Sequence, residues 1–572
     1  MADEPHVIRG INWRETFPFT NIFRSFRVAI HPSKILLALV GLLLIYIGGR
    51  VLDGLWLDSH LAVDNEIALY RQSMDRDDPN RMFDEARKDA RQKTIEKYAS
   101  ALAVLDKSEL KTRTDRLKAA REGEYFGELK KYLLDERKRA VDAANKAFAN
   151  AKPKNDEERR LAKKNHDQSI REIYDEAADS YRTIDSIHGR GLFITLFDYE
   201  VSQVNNIMQG VYNGNWLATG GVVGSIVNFF TIGPGWLLSQ HMLYFVLFTI
   251  WFLIIWAIFG GAIARIAAVH VARDEKISVR QAIKFSAGKV LSFIFAPIIP
   301  LVIILIVGLL VTLVALLGNI PWIGPIVIGV PFVLALAAGF IMMLVLIGTV
   351  AGFDLMYPTI AVEGSDAFDA ISRSFSYIYA RPWRLLFYTA VAIIYGALTY
   401  LFVRLFIYLV LGMTHSFVDL GMFAQAASTR ELWTTMWPAP SSLWNLPYDP
   451  TMLSMNLGES IGSWFVALWV YLTIALIGAF AISFYFSSNT IIYYLMRREV
   501  DATELDDVYV EQLEDEFSEA APVTAAPSAT PAPAAESPAT PAPAEESTPT
   551  PPAQPHTPPD GQNPPDGTSN PA

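Results

Sequence analysis

Long apolar runs separated by short basic segments set the frame of this chain. Six stretches hold the roughly 20 mostly apolar residues that a helix needs to cross a bilayer: 35–57, 242–264, 297–317, 326–350, 385–411 and 464–486. The first is interrupted at its far end by Arg50 and Asp53, three apart on one helical face, where they can pair near the interface. From about 80 to 187 the pattern changes. Charges of both signs mix, glycine occurs only at Gly123 and Gly127, and apolar residues step by three and four, as in Ile95, Tyr98, Leu102 and Leu105. Pro153 breaks the run and is followed by an acidic helix start. The spacing predicts long antiparallel helices, a hairpin or small bundle projecting from the membrane. The stretch 191–236 is apolar but broken by Gly and Asn. It predicts interfacial helices, with a short re-entrant piece near 221–232 as the alternative.

Orientation follows from Lys and Arg in the short flanks. Arg9, Arg14, Arg24, Arg27 and Lys34 precede the first crossing, and Arg265, Arg273, Lys276, Arg280, Lys284 and Lys289 follow the second. Arg373, Arg381 and Arg384 lie between the fourth and fifth, and Arg497 and Arg498 follow the sixth. All four basic borders fall on one side. The expected fold class is therefore all-α: a six-helix transmembrane bundle in a cell (inner) membrane, both termini cytoplasmic, with an extracytoplasmic antiparallel helical insertion. The segments are an interfacial 1–34, a first crossing at 35–57, the insertion at 58–190, an interfacial 191–236 and a five-helix membrane domain at 237–496. An acidic 497–519 and a disordered Pro/Ala/Ser/Thr tail at 520–572 complete the chain.

Composition agrees. Of 572 residues, 51% are hydrophobic and 19% charged, which favours a membrane protein over a soluble one. The net charge of −11 comes from the tail, since no Lys or Arg follows Arg498. It gives no reason to expect a nucleic-acid partner. Cysteine is absent, which excludes disulfides, thiolate metal sites and Cys nucleophiles. The N-terminus lacks the pattern of a cleaved secretory signal, because its apolar run begins only at Ile35.

The basic borders also repeat. "IFRSFRVAIHPSKILLAL" at 22–39 and "ISRSFSYIYARPWRLLFY" at 371–388 both place Arg-Ser-Phe and a proline before an apolar run, and "VRQAIKFSAGKVLSFIFAPIIP" at 279–300 is a fainter copy. Each predicts an amphipathic elbow helix along the interface, feeding an outward crossing. The unit is elbow, crossing, return crossing, three times over. Arg24, Arg27, Lys34, Lys284, Lys289, Arg373, Arg381, Trp383 and Arg384 are the expected contacts to membrane lipids.

"YPTIAVEGSDAFDAISRSFSYIYARPWRLLFY" resembles the motif of a loose group of bacterial polytopic membrane proteins. These are the YciC-like proteins and the membrane domain fused to some glycerophosphodiester phosphodiesterases. Pro358, Glu363-Gly364, Ala367, Ala370, Arg373-Ser374 and Trp383 carry the likeness, which covers about 265–495. It implies an all-helical membrane domain without established chemistry; the insertion has no counterpart in it.

Candidate chemistry is sparse. Gly458-Glu459-Ser460-Ile461-Gly462 fits G-x-S-x-G but lacks the strand that a hydrolase elbow needs. No metal-protease, P-loop or dinucleotide motif occurs, so no catalytic residue, cofactor or metal is expected. Gly348 and Gly352 form a GxxxG suited to helix packing. The intramembrane polar residues Arg50, Asp53, Asp354 and Arg404 are the better lead. Arg404 either snorkels outward or sits in a buried functional pair or substrate contact; topology keeps it apart from Asp354. The leading expectation is a non-enzymatic scaffold that binds a protein partner through its extracytoplasmic helices. The alternatives are a transporter or channel subunit, and a sensor without its own output domain.

Overall fold

A computed structural model describes residues 17–56, 61–74, 76–151, 153, 155–218, 220–422, 433, 436–440, 442–448 and 457–509. The first basic residues, Arg9 and Arg14, and the predicted disordered tail lie outside them. The described residues are helical, without a strand. After a 3-10 turn at Pro18–Phe23 come α1 (Arg24–Ala29) and α2 (Pro32–Leu55). The insertion holds α3 (Glu66–Met74), α4 (Pro79–Ala101), α5 (Arg113–Glu122), α6 (Phe126–Asn150) and α7 (Asp156–Asp185). An apolar hairpin follows, α8 (Leu192–Asn213) and α9 (Val222–Gln240). The remaining helices are α10 (Met242–Arg273), α11 (Val279–Gly288), α12 (Val290–Leu316), the short α13 (Gly324–Gly329), α14 (Phe332–Glu363), α15 (Ala367–Ala380), α16 (Pro382–Gly421) and α17 (Leu457–Asp501).

Seven helices are long and apolar enough to cross a membrane, one more than the hydropathy of the sequence predicts. The addition is α9. Pro234 lies inside it, and its Gly and Asn residues, which break the apolar run on paper, are absorbed into a helix that packs along α8. The other helices outrun their apolar stretches: α16 has 40 residues and α17 has 45. Helical pattern continues past the apolar stretch because the ends bury one another. Gly261–His270, Leu355–Val362 and Phe486–Met496 are buried throughout, polar "SSNT" included.

Those three segments belong to the return helices α10, α14 and α17, each of which packs against the other two. Each return helix also pairs with its outgoing partner, α2, α12 or α16. Each elbow packs on the return helix of the preceding unit: α11 on α10, α15 on α14, and α1 on α17, so that the third unit closes onto the first. The repeated serine explains the contact. Ser25, Ser286 and Ser374 are wholly buried, and Ser286 and Ser374 lie at the small positions where elbow and return helix touch. Gly261 and Gly352 face Ser286 and Ser374 across two of these contacts. In α10 a π turn spans Trp256–Gly260, and Ser286 Oγ donates to its Ala257 carbonyl at 2.6 Å, satisfying a group that the wide turn loosens. Gly348 meets Phe375 of α15, so the GxxxG serves packing inside the chain.

The insertion has its own core. Tyr98, Leu102, Leu110, Ala119, Leu129 and Ile184 gather at the base of an antiparallel pair, α6 and α7, joined across Pro153. At 25 and 30 residues these helices are about 37 and 45 Å long.

Candidate functional site

The insertion joins the bundle through a narrow neck. Ala62 and Arg190 exchange both backbone hydrogen bonds, at 2.9 and 2.8 Å, and bring its two ends together. Gly189 makes the turn at φ +76°, where a Cβ would press on Leu61.

Beside the neck stands Glu66, the first residue of α3 and 0% exposed. Its Oε2 accepts the Val63 amide at 2.7 Å and lies 3.3 Å from Arg87 Nε of α4. Its Oε1 accepts Trp236 Nε1 of α9 at 3.1 Å and lies 3.4 Å from His241 Nε2, at the corner between α9 and α10. One carboxylate thus ties two insertion helices to two helices of the membrane region. Burial works to raise its pKa, but His241, Arg87, the Val63 amide and Trp236 outweigh burial and hold it below the ordinary glutamate range.

Asp53 performs the matching task at the end of α2. Its carboxylate accepts the Phe193 and Ile194 amides at 2.9 and 3.3 Å, and the Tyr244 hydroxyl at 2.7 Å. A carboxylate against the free amides of a helix start is doubly favoured, by hydrogen bonding and by the helix dipole. Arg50, the partner expected from sequence, is half exposed and 3.9 Å away, a minor contributor. α8 therefore starts beside the end of α2, and α9 ends at the corner that meets Glu66. Both ends of the hairpin lie at the insertion end of the bundle.

Arg404 does not snorkel. It is 6% exposed, and its donors reach Leu443 O (2.8 Å), Trp444 O (2.9 Å), Asn205 Oδ1 of α8 (2.8 Å) and the Tyr400 hydroxyl (3.4 Å), with the Trp444 ring 5.2 Å away. No carboxylate is needed, because carbonyl oxygens supply the acceptors. Asp354 stays apart from it and takes the Tyr485 hydroxyl at 2.5 Å. Glu200 of α8 differs from both. Its two oxygens have no hydrogen-bond partner among the described residues and face Gly233 of α9, and burial pushes its pKa up to about 8.

At the other end, the expected lipid contacts divide. Arg27, Lys284, Arg381 and Trp383 are exposed, and Arg24 and Lys289 are half-buried. Lys34 must be corrected: it is 0% exposed, with its Nζ 3.4 Å from His270 Nδ1, because the first turn of α2 tucks against α10 rather than lying at the surface. Arg373 and Arg384 are engaged by carboxylates. Arg373 Nε lies 2.7 Å from Glu363 and 3.3 Å from Asp369, while Arg384 pairs with Glu499, which also accepts Tyr388 at 2.6 Å. Glu363 gathers Arg497 at 3.3 Å and the Tyr493 hydroxyl at 2.5 Å as well. Ser460 sits in the first turns of α17, so the G-x-S-x-G match belongs to a helix start. Among the described residues no group of three or more His, Asp or Glu is placed to hold a metal ion.

Sequence reasoning passed over Glu66, Trp236, His241 and Asn205. A lone Glu after a polar stretch carries no signal that its partners lie 170 residues away. No family model, curated protein or solved structure matches this chain.

Proposed function

We propose that this integral membrane protein is a scaffold that holds the α6–α7 arm outside the membrane as the docking element for a protein partner, its exposed elbow residues resting on lipid headgroups. Six crossings with both termini cytoplasmic fit the basic borders. The hairpin α8–α9 adds no net crossing, since it leaves from Asp53 and returns to Glu66 at one end of the bundle. The likeness of 265–495 to the YciC-like group supports an all-helical membrane domain without established chemistry.

The observation that carries the proposal is the Glu66 latch. A loosely tethered insertion needs no buried carboxylate shared by four helices; an arm that must keep its direction against a partner does. The test is a photoreactive amino acid at Leu161, which is 58% exposed on α7, crosslinked in intact membranes. One discrete protein adduct is expected, lost or shifted when Glu66→Ala frees the arm. Arm positions that yield no protein adduct, or an adduct indifferent to Glu66, would remove the scaffold role.

A further inference from the structure

α14 ends at Glu363, and its last turn presents carbonyls that no amide of the helix reaches. Arg265 crosses from α10 and donates Nη1 to Ala361 O at 2.8 Å, its guanidinium 4.4 Å from the Phe285 ring of α11. The next carbonyl, Val362 O, accepts the amide of Tyr509 at 2.8 Å. Tyr509 O in turn accepts Arg265 Nη2 at 2.7 Å. Both backbone groups of one residue beyond α17 are therefore read.

Its neighbours are read too. Arg497, held by Glu363, donates Nη1 to Asp507 O and Nη2 to Asp507 Oδ2, both at 2.7 Å. Val508 is buried. The Tyr509 ring covers Gly364, where a Cβ would stand 2.7 Å from it. Gly364 is thus required twice, for its φ of +64° as the helix cap and for the room it leaves. The Glu363-Gly364 pair that stands out in the sequence is the centre of this receptor.

Two features mark the strap as separable from its seat. The receptor groups are held without it: Arg265 by Ala361 and Phe285, and Arg497 by Glu363. The strap leaves α17 through Ala502 at φ +55°, a left-handed conformation that disfavours a residue with a Cβ. Its Glu504 and Asp506 side chains are exposed.

We infer that the elbow end of the bundle is a peptide-reading groove for an Asp-x-Tyr segment, that residues 502–509 occupy it in cis, and that an acidic segment of the same chemistry on a partner protein displaces them. Arg497 selects the aspartate, the small space over Gly364 takes the aromatic ring, and the Val362 and Arg265 pair reads the backbone between two helices. This surface lies at the opposite end from the arm and stands whether or not the arm binds anything.

The probe is a fluorescent peptide of the sequence ATELDDVYV, residues 502–510, followed by anisotropy with the purified full chain. A full chain carrying Asp507→Ala and Tyr509→Ala has its own strap released and should bind the peptide saturably. The unaltered chain should bind at least ~10-fold more weakly, because its own strap is present at high effective concentration. Adding Arg497→Met to the released chain, or placing Ala at both positions of the peptide, should abolish binding. Equal binding by released and unaltered chains, or no binding by a released chain that stays monodisperse and helical, overturns the inference. Should the double variant lose its fold, Asp507→Asn alone must still raise peptide affinity above that of the unaltered chain, and equal affinity overturns the inference as well.

Discussion

At the insertion end, the buried charges Asp53 and Arg404 are answered mostly by neutral groups: helix amides and a tyrosine for the one, carbonyls and an asparagine for the other. At the elbow end, Glu363, Glu499 and Asp501 are answered by Arg373, Arg384 and Arg497. The contrast has physical content. A buried charge solvated by fixed dipoles keeps its partners at any salt concentration, whereas the pairs of the partly exposed Arg373 and Arg384 meet water, are screened and trade partners readily. Arg497–Glu363 is the buried exception. The first end suits a rigid mount for the arm; the second suits a surface whose contacts can be exchanged.

The largest effect should come from Glu66, where the two styles meet. Glu66→Ala strands Arg87, Trp236 and His241 and should cost about 3–5 kcal/mol, read as a fall in Tm of the detergent-solubilised protein. The pH dependence has a definite sign. Because the folded carboxyl titrates below its ordinary range, its stabilisation is complete above that range and fades as pH falls through the depressed folded value. In Glu66→Ala that acid-side loss should be missing.

Arg404→Met comes next. It leaves Leu443 O and Trp444 O without a donor in a buried setting, at a cost of about 2–3 kcal/mol, and the loss should be the same in low and high salt. A salt-dependent loss would break the comparison, since it would make Arg404 an ion-pair residue.

Glu200 sharpens it from the opposite direction, as a carboxylate whose buried oxygens meet solvation of neither kind among the described residues. Its folded pKa of about 8 lies above the unfolded value, so the carboxylate destabilises the fold increasingly as pH rises from the ordinary glutamate range to about 8, and no further beyond. Glu200→Gln should therefore raise Tm by roughly 1–3 °C at pH 8 and leave it unchanged near pH 4. The smallest effect belongs to Arg384→Ala. That pair is half exposed on the arginine side, so its loss should stay within about 1 kcal/mol and vanish in high salt.

What the sequence revealed follows the range of its signals. Apolar runs and Pro32 and Pro382 at helix starts are local, and they mark where α2 and α16 begin. The repeated Ser25, Ser286 and Ser374 are legible as a pattern, but their burial needs the three-dimensional closure of the ring. α9 was expected as an interfacial helix and not as one long and apolar enough to cross, because its Gly, Asn and Pro interrupt the apolar run that its packing on α8 keeps helical. Lys34 looked like an interfacial cation because charge and position are local, while its burial beneath His270 is not. Arg404 stands out in the sequence as a charge inside an apolar run, but its burial is not legible there: its acceptors are mainly backbone carbonyls about 40 residues away, and no side-chain pattern encodes a carbonyl's position.

The chain has no cysteine, so single introduced cysteines report sidedness without background. Leu161→Cys on the arm, Leu217→Cys at the tip of the α8–α9 hairpin and Lys284→Cys on an elbow should be treated with a membrane-impermeant maleimide in intact cells. Labelling of 161 and 217 from outside, with 284 reached only after permeabilisation, is the predicted result. Labelling of 284 from outside with 161 protected would contradict the orientation, and protection of 217 alone would turn the hairpin into a pair of true crossings.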